Sequence, residues 1–236
     1  MVETDYYVGD KWNKCIAVLA DIHDRRYEEF VSLIKKRCVD YIFIPGDLVN
    51  GKVIERTVDH SAIIKNANNL LNQLSLIAPT FFSLGNHEKL LHLGERELLK
   101  ENDVVLLVDE YREIISGLYI GGLSSAKEVG AKNSKPRIDF LNDYEKIEGY
   151  KILLCHHPEY YEEYLKHRNF NLIVSGHAHG GQVRVLNHGL YAPGQGFLPK
   201  YTSGLHDDKF IISRGIAGTE MFPRINNEPE IVYIHI

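Results

Sequence analysis

The stretch LIVSGHAHGGQV, Leu172–Val183, decides how the fold is read. Its first residues form a short apolar run of the kind that makes a buried strand. The run ends in His177 and His179, one residue apart and set among Gly176, Gly180 and Gly181. A turn needs glycine but has no need of imidazole, so the pair points to something that binds nitrogen. The arrangement recurs along the chain. CIAVLAD (15–21) leads into Asp21-Ile22-His23, and YIFIPGD (41–47) ends in Gly46-Asp47. TFFSLGNH (80–87) ends in Gly85-Asn86-His87-Glu88, and KILLCHHP (151–158) carries Cys155-His156-His157. In an α/β sheet, strand carboxyl ends converge on one edge where ligands bind, so these groups are expected to meet in space.

Amphipathic stretches alternate with the strands, which predicts an α/β fold. Tyr27, Phe30, Val31 and Ile34 share one helix face, and Ile63, Ala67, Leu70, Leu74 and Ile77 form a longer stripe closed by Pro79. A Leu-rich helix is expected at about 89–101. Shorter strands follow in VVLLV, REII, GLYIGGL, GQVRV (181–185), FIISRG and EIVYIHI, with a helix at YYEEYL. The segments 124–150 and 186–209 show no clear structure. No repeat or linker divides the chain, so residues 1–236 are expected to form one domain.

Composition is ordinary for a globular protein, and the formal net charge is −5 with histidine neutral. No cluster of five or more basic residues advertises a nucleic-acid groove, so no long nucleic acid is expected as a partner. The longest apolar runs hold about six residues, far from the ~20 that span a bilayer. The first residues lack an apolar signal region, which makes the cytoplasm the expected compartment. Cys15, Cys38 and Cys155 are odd in number and widely spaced, as expected of reduced thiols.

The strand-end residues suit a metal centre. In extended chain Asp21 and His23 point to one side and can grip one ion together. Asp47 has two oxygens and can bridge two ions. Asn86 offers a neutral carbonyl oxygen, and His156, His177 and His179 offer nitrogens. Such mixed donors suit Mn²⁺, Fe or Zn²⁺ better than Ca²⁺. Two divalent ions against two aspartates and a hydroxide leave a positive centre, which favours an anionic phosphoryl group.

The ordered series Asp21-x-His23, Gly46-Asp47, Gly85-Asn86-His87-Glu88, His156, Gly176-His177-x-His179 resembles the calcineurin-like metallophosphoesterases. HGGQVRV, YTSGL and SRG…FPRINNEPEI extend the resemblance to a bacterial YkuE/YaeI-like phosphodiesterase branch, over roughly residues 13–236. The resemblance implies an αββα fold, two mixed β-sheets packed as a sandwich and flanked by helices. It implies one metal held by Asp21, His23, Asp47 and His179, and a second held by Asp47, Asn86, His156 and His177. It also implies that His87 stands beside the site without ligating, as the acid that protonates the leaving oxygen or as a group that steadies the phosphate. Family members carry an aspartate three residues after the bridging one to orient that histidine. Here the position is Asn50, so the pairing is expected to be either absent, with a weaker acid function at His87, or replaced by Glu88.

The expected activity is hydrolysis of a small phosphodiester or pyrophosphate by a hydroxide bridging two divalent ions, with Mn²⁺ favoured. A phosphomonoesterase on the same centre is the alternative. A non-catalytic scaffold would have lost ligands, and none of the seven is missing. A β-lactamase-type hydrolase would need an HxHxDH string, which is absent. His157 is expected to face away from its neighbour His156, and Cys155 to lie in the core. Gln182 and Arg184 follow the HxH turn and could reach the phosphate, with a turn-stabilising role the alternative for Gln182, and Arg214 and Arg224 could add charge. His60, His92, His167, His188, His206 and His235 are given no role.

Overall fold

The structure is a computed structural model that describes residues 1–100, 103–126, 135–186, 188–218 and 223–236. In chain order the strands and helices begin with β1 (Val2–Tyr7), β2 (Cys15–Val18), α1 (Glu28–Ile34) and β3 (Tyr41–Ile44). Then come α2 (Gly51–Arg56), α3 (Ser61–Ser75), β4 (Thr80–Ser83), α4 (Leu93–Leu98) and β5 (Val104–Leu107). β6 (Glu110–Ile115), β7 (Leu118–Leu123), α5 (Ile138–Tyr144), β8 (Tyr150–Cys155) and β9 (Leu172–Ser175) follow. Four two-residue strands pair as hairpins, β10 (Arg184–Val185) with β11 (His188–Gly189) and β12 (Tyr191–Ala192) with β13 (Gly196–Phe197). β14 (Gly204–His206), β15 (Phe210–Ile212) and β16 (Glu230–His235) complete the chain.

Two six-stranded sheets result, in the orders β1-β16-β2-β3-β4-β5 and β14-β15-β9-β8-β7-β6. Both are mixed: β2 to β5 run parallel while β16 is antiparallel to β2, and β15, β9, β8 and β7 run parallel between antiparallel edges β14 and β6. Alternation along each strand builds three apolar layers. Ile16, Val18, Phe43, Ile120, Ile152, Leu154, Val174 and Val232 pack between the sheets. Ala17, Leu19, Ile42, Ile44 and Phe82 face the outer helices, against Phe30, Ile34, Leu70 and Leu74. On the other side Leu153, Cys155, Ile173, Phe210 and Ile212 meet Leu141, Tyr144 and Tyr161. Strands apolar on both faces read as unbroken hydrophobic runs, which is why five of them stood out in the sequence. Each fully buried Leu, Ile or Phe side chain adds about 1.5–3 kcal/mol by leaving water.

Several local expectations need correcting. The helix expected at 89–101 is a single 3₁₀ turn, Glu88–Leu90, followed by α4. Extended backbone at Leu91 and His92 separates them, and the Glu95 carboxylate accepts the His92 N–H at 2.7 Å to start the second piece. Within 124–150 the chain forms α5, whose Phe140, Leu141 and Tyr144 are buried; residues 127–134 lie outside the described part. GQVRV contributes only β10, because Gly181 belongs to the preceding turn with φ +77°. β1 was not expected at all: its alternation of half-buried and exposed residues lacks an apolar run, and it is placed by parallel pairing with β16. Among the described residues, no helix is long and apolar enough to cross a membrane.

Candidate metal centre

The loops after β2, β3, β4, β8 and β9 meet at one end of the two packed sheets. The Gly176 N–H donates to the His156 carbonyl at 3.2 Å, and the Asp21 N–H donates to the Gly46 carbonyl at 3.2 Å. The His177 N–H donates to the Asp21 carboxylate at 3.0 Å, tying the two sheets together. Asp21, His23, Asp47, His177 and His179 all take left-handed φ angles, between +47° and +65°. This corrects the expectation that Asp21 and His23 align by extended-strand parity; β2 ends at Val18, and both residues sit in turns beyond it. Left-handed backbone costs a non-glycine residue on the order of 1 kcal/mol or more, and it persists where neighbouring contacts enforce it. Gly85 and Gly176 permit the approach. A Cβ on Gly85 would fall 2.2 Å from Asp47 Oδ1, and one on Gly176 would fall 2.7 Å from Asp21 Oδ2.

Two clusters of donor atoms share Asp47. In the first, His23 Nε2 lies 3.3 Å from His179 Nε2 and 3.8 Å from Asp47 Oδ2, and His179 Nε2 lies 3.7 Å from Asp21 Oδ1. In the second, His156 Nε2 lies 3.0 Å from Asp47 Oδ2 and 3.2 Å from His177 Nδ1. Asn86 is buried, and its Oδ1 has no hydrogen-bond partner among the described residues. All seven sequence-derived candidates except Asn86 fall in clusters whose donor atoms lie within 4.8 Å of one another.

These groups fit divalent cations. His23 Nδ1 donates to the Val49 carbonyl at 3.2 Å and His179 Nδ1 to the Ala217 carbonyl at 3.0 Å, which leaves the proton off both Nε2 atoms. Two imidazole lone pairs therefore face each other at 3.3 Å beside two buried carboxylates. That arrangement repels itself unless a cation lies among the lone pairs. Backbone carbonyls behind ligating histidines are the usual outer shell of a metal site.

Burial dominates the ionisation. It holds His23 down at about 4 and His179 at about 3, with Arg224 adding to the effect at His179. It also lowers His177 well below the ordinary range, helped by His157, so these three rings are neutral and free to ligate. Burial raises Asp21. Burial also opposes charge at Asp47 and His156, but their mutual attraction wins, lowering Asp47 well below the carboxylate range and pushing His156 up to about 9. A cation entering between Asp47 and His156 takes the place of that proton.

Glu88 does not orient His87, so of the two expectations the carboxylate pairing is absent rather than replaced. Its fully buried carboxylate accepts the N–H groups of Asp47 at 3.0 Å, Val49 at 3.1 Å and Gly85 at 2.7 Å, and so pins the loops after β3 and β4 together. Burial and the nearby Asp47 charge push it up to about 7. Glu88→Ala would strand three buried donors, and we expect a loss of about 3–5 kcal/mol in urea unfolding of the metal-free protein. An unchanged unfolding midpoint would show that these loops do not depend on the carboxylate.

His87 is oriented by backbone instead: its Nδ1 accepts the Gly51 N–H at 2.7 Å. Asn50 serves as the N-cap of α2, accepting the Lys52 N–H at 3.1 Å, and so presents that donor. His87 Nε2 then lies 3.8 Å from Asp47 Oδ2, within the range of His23 and Asp47. At 18% exposed, its side chain is more open than those of His23, His156, His177 and His179, which puts it at the mouth of the site.

The surrounding cations turn inward to the fold. Arg184 donates to the Gly180 carbonyl and Ser203 Oγ, bracing the HxH turn, and Arg214 pairs with Glu230 at 3.0 Å. Arg224 donates to the carbonyls of Arg214, Gly215 and Ala217, so it holds the same carbonyl that orients His179. Gln182 is buried, and its backbone carbonyl accepts from Asn227 at 3.0 Å. Sequence reasoning missed Asn227, whose Nδ2 also donates to the His179 carbonyl at 2.8 Å and clamps the turn. Ser125 and Glu159 were missed as well. They lie near His157, which does not face away from the site but packs on the His177 ring, centroids 4.4 Å apart. The motif hint was there in His156-His157-Pro158-Glu159, a carboxylate three residues after a candidate ligand.

Comparison with known proteins places these features in context. The sequence profile described as Calcineurin-like phosphoesterase matches residues 16–181. The metallophosphoesterase YkoQ of Bacillus subtilis is 27% identical over 232 residues, covering 92% of this chain and 82% of that protein. The phosphodiesterase YaeI of Escherichia coli is 24% identical over 237 residues, covering 94% of this chain and 81% of its own. Among solved structures, the NAD nucleotidase NadN of Haemophilus influenzae superposes with a TM-score of 0.55 at 16% identity. That match covers 94% of this chain and 44% of NadN, and it bears on the fold alone.

Proposed function

The chain belongs to the calcineurin-like phosphoesterase family, and from that membership we propose a dinuclear metal-dependent phosphoesterase that cleaves a phosphodiester or pyrophosphate. The observation that carries the proposal is the pair of opposed donor clusters sharing Asp47. Asp21, His23, Asp47 and His179 would hold one ion, and Asp47, Asn86, His156 and His177 the other. Mixed oxygen and nitrogen donors favour Mn²⁺, with Fe or Zn²⁺ also suited. When bound, two such ions supply Lewis-acid polarisation of the phosphoryl oxygens and water of lowered pKa for attack in line on phosphorus.

The protein's own groups do the rest. Asp47, shared by the two clusters, would fix their spacing. The strained turns at Asp21, His23 and His177 hold donors in place before substrate arrives. His87, whose Nδ1 accepts the Gly51 N–H, keeps its proton on Nε2 and would offer that N–H at the mouth as a hydrogen bond to the leaving oxygen. A small substrate suits a chain of net charge −5 without a basic groove. The diester preference draws support from YaeI, a phosphodiesterase by name. A phosphomonoesterase on the same centre is the second reading.

The test is hydrolysis of bis-p-nitrophenyl phosphate against p-nitrophenyl phosphate in Mn²⁺. We expect diester turnover that stops on removing metal with a chelator and returns with added Mn²⁺. Preference for the monoester overturns the substrate class. Absence of turnover with Mn²⁺, Fe²⁺ and Zn²⁺ alike overturns the enzyme.

A further inference from the structure

Behind His177 runs a line of polar groups that the ligand set does not include. His177 turns Nδ1 toward His156 Nε2 at 3.2 Å, so Nε2 points the other way, to Glu159 Oε1 at 3.9 Å. Glu159 Oε1 lies 3.3 Å from His157 Nδ1, and His157 Nε2 lies 2.6 Å from Ser125 Oγ. Ser125 is fixed in turn by its N–H on the Leu84 carbonyl at 2.9 Å, one residue before Gly85. The line is shielded: Ser125 and His157 are buried, and a Cβ on Gly194 would fall 2.1 Å from Glu159 Oε1.

We propose that Glu159 is a positioning residue, the outer carboxylate that sets the tautomer of His177 and the affinity of the second metal position, with His157 and Ser125 holding it in place. The proposal rests on the ligand assignment made above. Its proton order is consistent from end to end. With Ser125 Oγ–H donating to His157 Nε2, the His157 proton sits on Nδ1, 3.3 Å from Glu159 Oε1, and His177 Nε2–H faces the same oxygen at 3.9 Å, which leaves His177 Nδ1 as a lone pair facing Asp47 and His156. A carboxylate behind a ligating imidazole raises its basicity and fixes its ring. The first cluster has only carbonyls in that place, Val49 and Ala217. The two positions therefore differ in their outer shells. A third cation among His157 Nδ1, Glu159 Oε1 and His177 Nε2 is geometrically compact. It would require His177 to give both nitrogens to metals as an imidazolate, whereas the line of polar groups needs no deprotonation.

The experiment is equilibrium Mn²⁺ binding to the metal-depleted full chain at graded free Mn²⁺, for wild type, Glu159→Gln, Glu159→Asp and Ser125→Ala. The expected result is two ions in wild type. In Glu159→Gln the first ion should bind unchanged and the second about 10–100-fold more weakly. Glu159→Asp should recover part of that loss, and Ser125→Ala should show a smaller one of the same kind. Equal weakening at both positions marks a structural role and overturns the proposal, as does unchanged binding at both. Wild type holding a single ion overturns the dinuclear assignment itself, and this inference with it.

Discussion

Asp47→Ala is expected to lose both metal ions and to cut diester turnover by more than about a thousandfold. Asp47 is 1% exposed, and its Oδ2 lies 3.0 Å from His156 and 3.8 Å from His23, one from each cluster. Asp21 Oδ1 also reaches both sets, at 3.7 Å from His179 and 3.9 Å from His156, but Asp47 makes the shorter contact with the second. Its other oxygen accepts the His87 N–H at 3.0 Å, so the same substitution also loosens the loop that carries Asn86 and His87. Metal analysis after dialysis, beside the turnover assay, checks this. Asp47→Asn serves as the companion, because it keeps the shape and removes the charge. Either variant retaining two ions and near-normal turnover would remove Asp47 from the bridge.

The second large effect is expected at His87. His87→Ala should remove a hydrogen-bond donor to the leaving oxygen and lower kcat by about 10²–10³-fold while both ions remain bound. The loss should be smaller for a p-nitrophenolate leaving group, which departs without a proton, than for an alkyl one. This follows from the Gly51 N–H on Nδ1 at 2.7 Å, which leaves Nε2 to carry the proton, and from the exposed place of the ring at the mouth. Equal losses on both leaving groups would make His87 a phosphate-holding group instead. Loss of an ion would make it a ligand, in keeping with its nearness to His23 and Asp47.

What could be read in the sequence was whatever repeats over a short span. Strands such as CIAVLAD and LIVS declare themselves by apolar runs, because both faces of each strand are covered. The stripe from Ile63 to Leu74 shows the helical period of α3. The metal-binding residue types stand out because carboxylate, amide and imidazole close five apolar runs in succession, where turns alone would not call for them. β1 and α5 escaped notice because their burial depends on a partner strand or sheet rather than on an apolar run of their own.

The sequence by itself therefore determined the α/β class, the strand ends that carry chemistry and the list of candidate donors. Tertiary structure alone decided how those donors are held. The left-handed turns at Asp21, His23 and Asp47 arise from contacts between loops, not from extended parity. Glu88, next to His87 in sequence, reaches past it to the N–H groups of Asp47 and Val49. His87 takes its orientation from Gly51, 36 residues earlier, and His179 from the Ala217 carbonyl that Arg224 also grips. The physical reason is that periodicity records which face a residue buries, whereas a hydrogen-bond partner is chosen by which loops cross, often far apart in the chain.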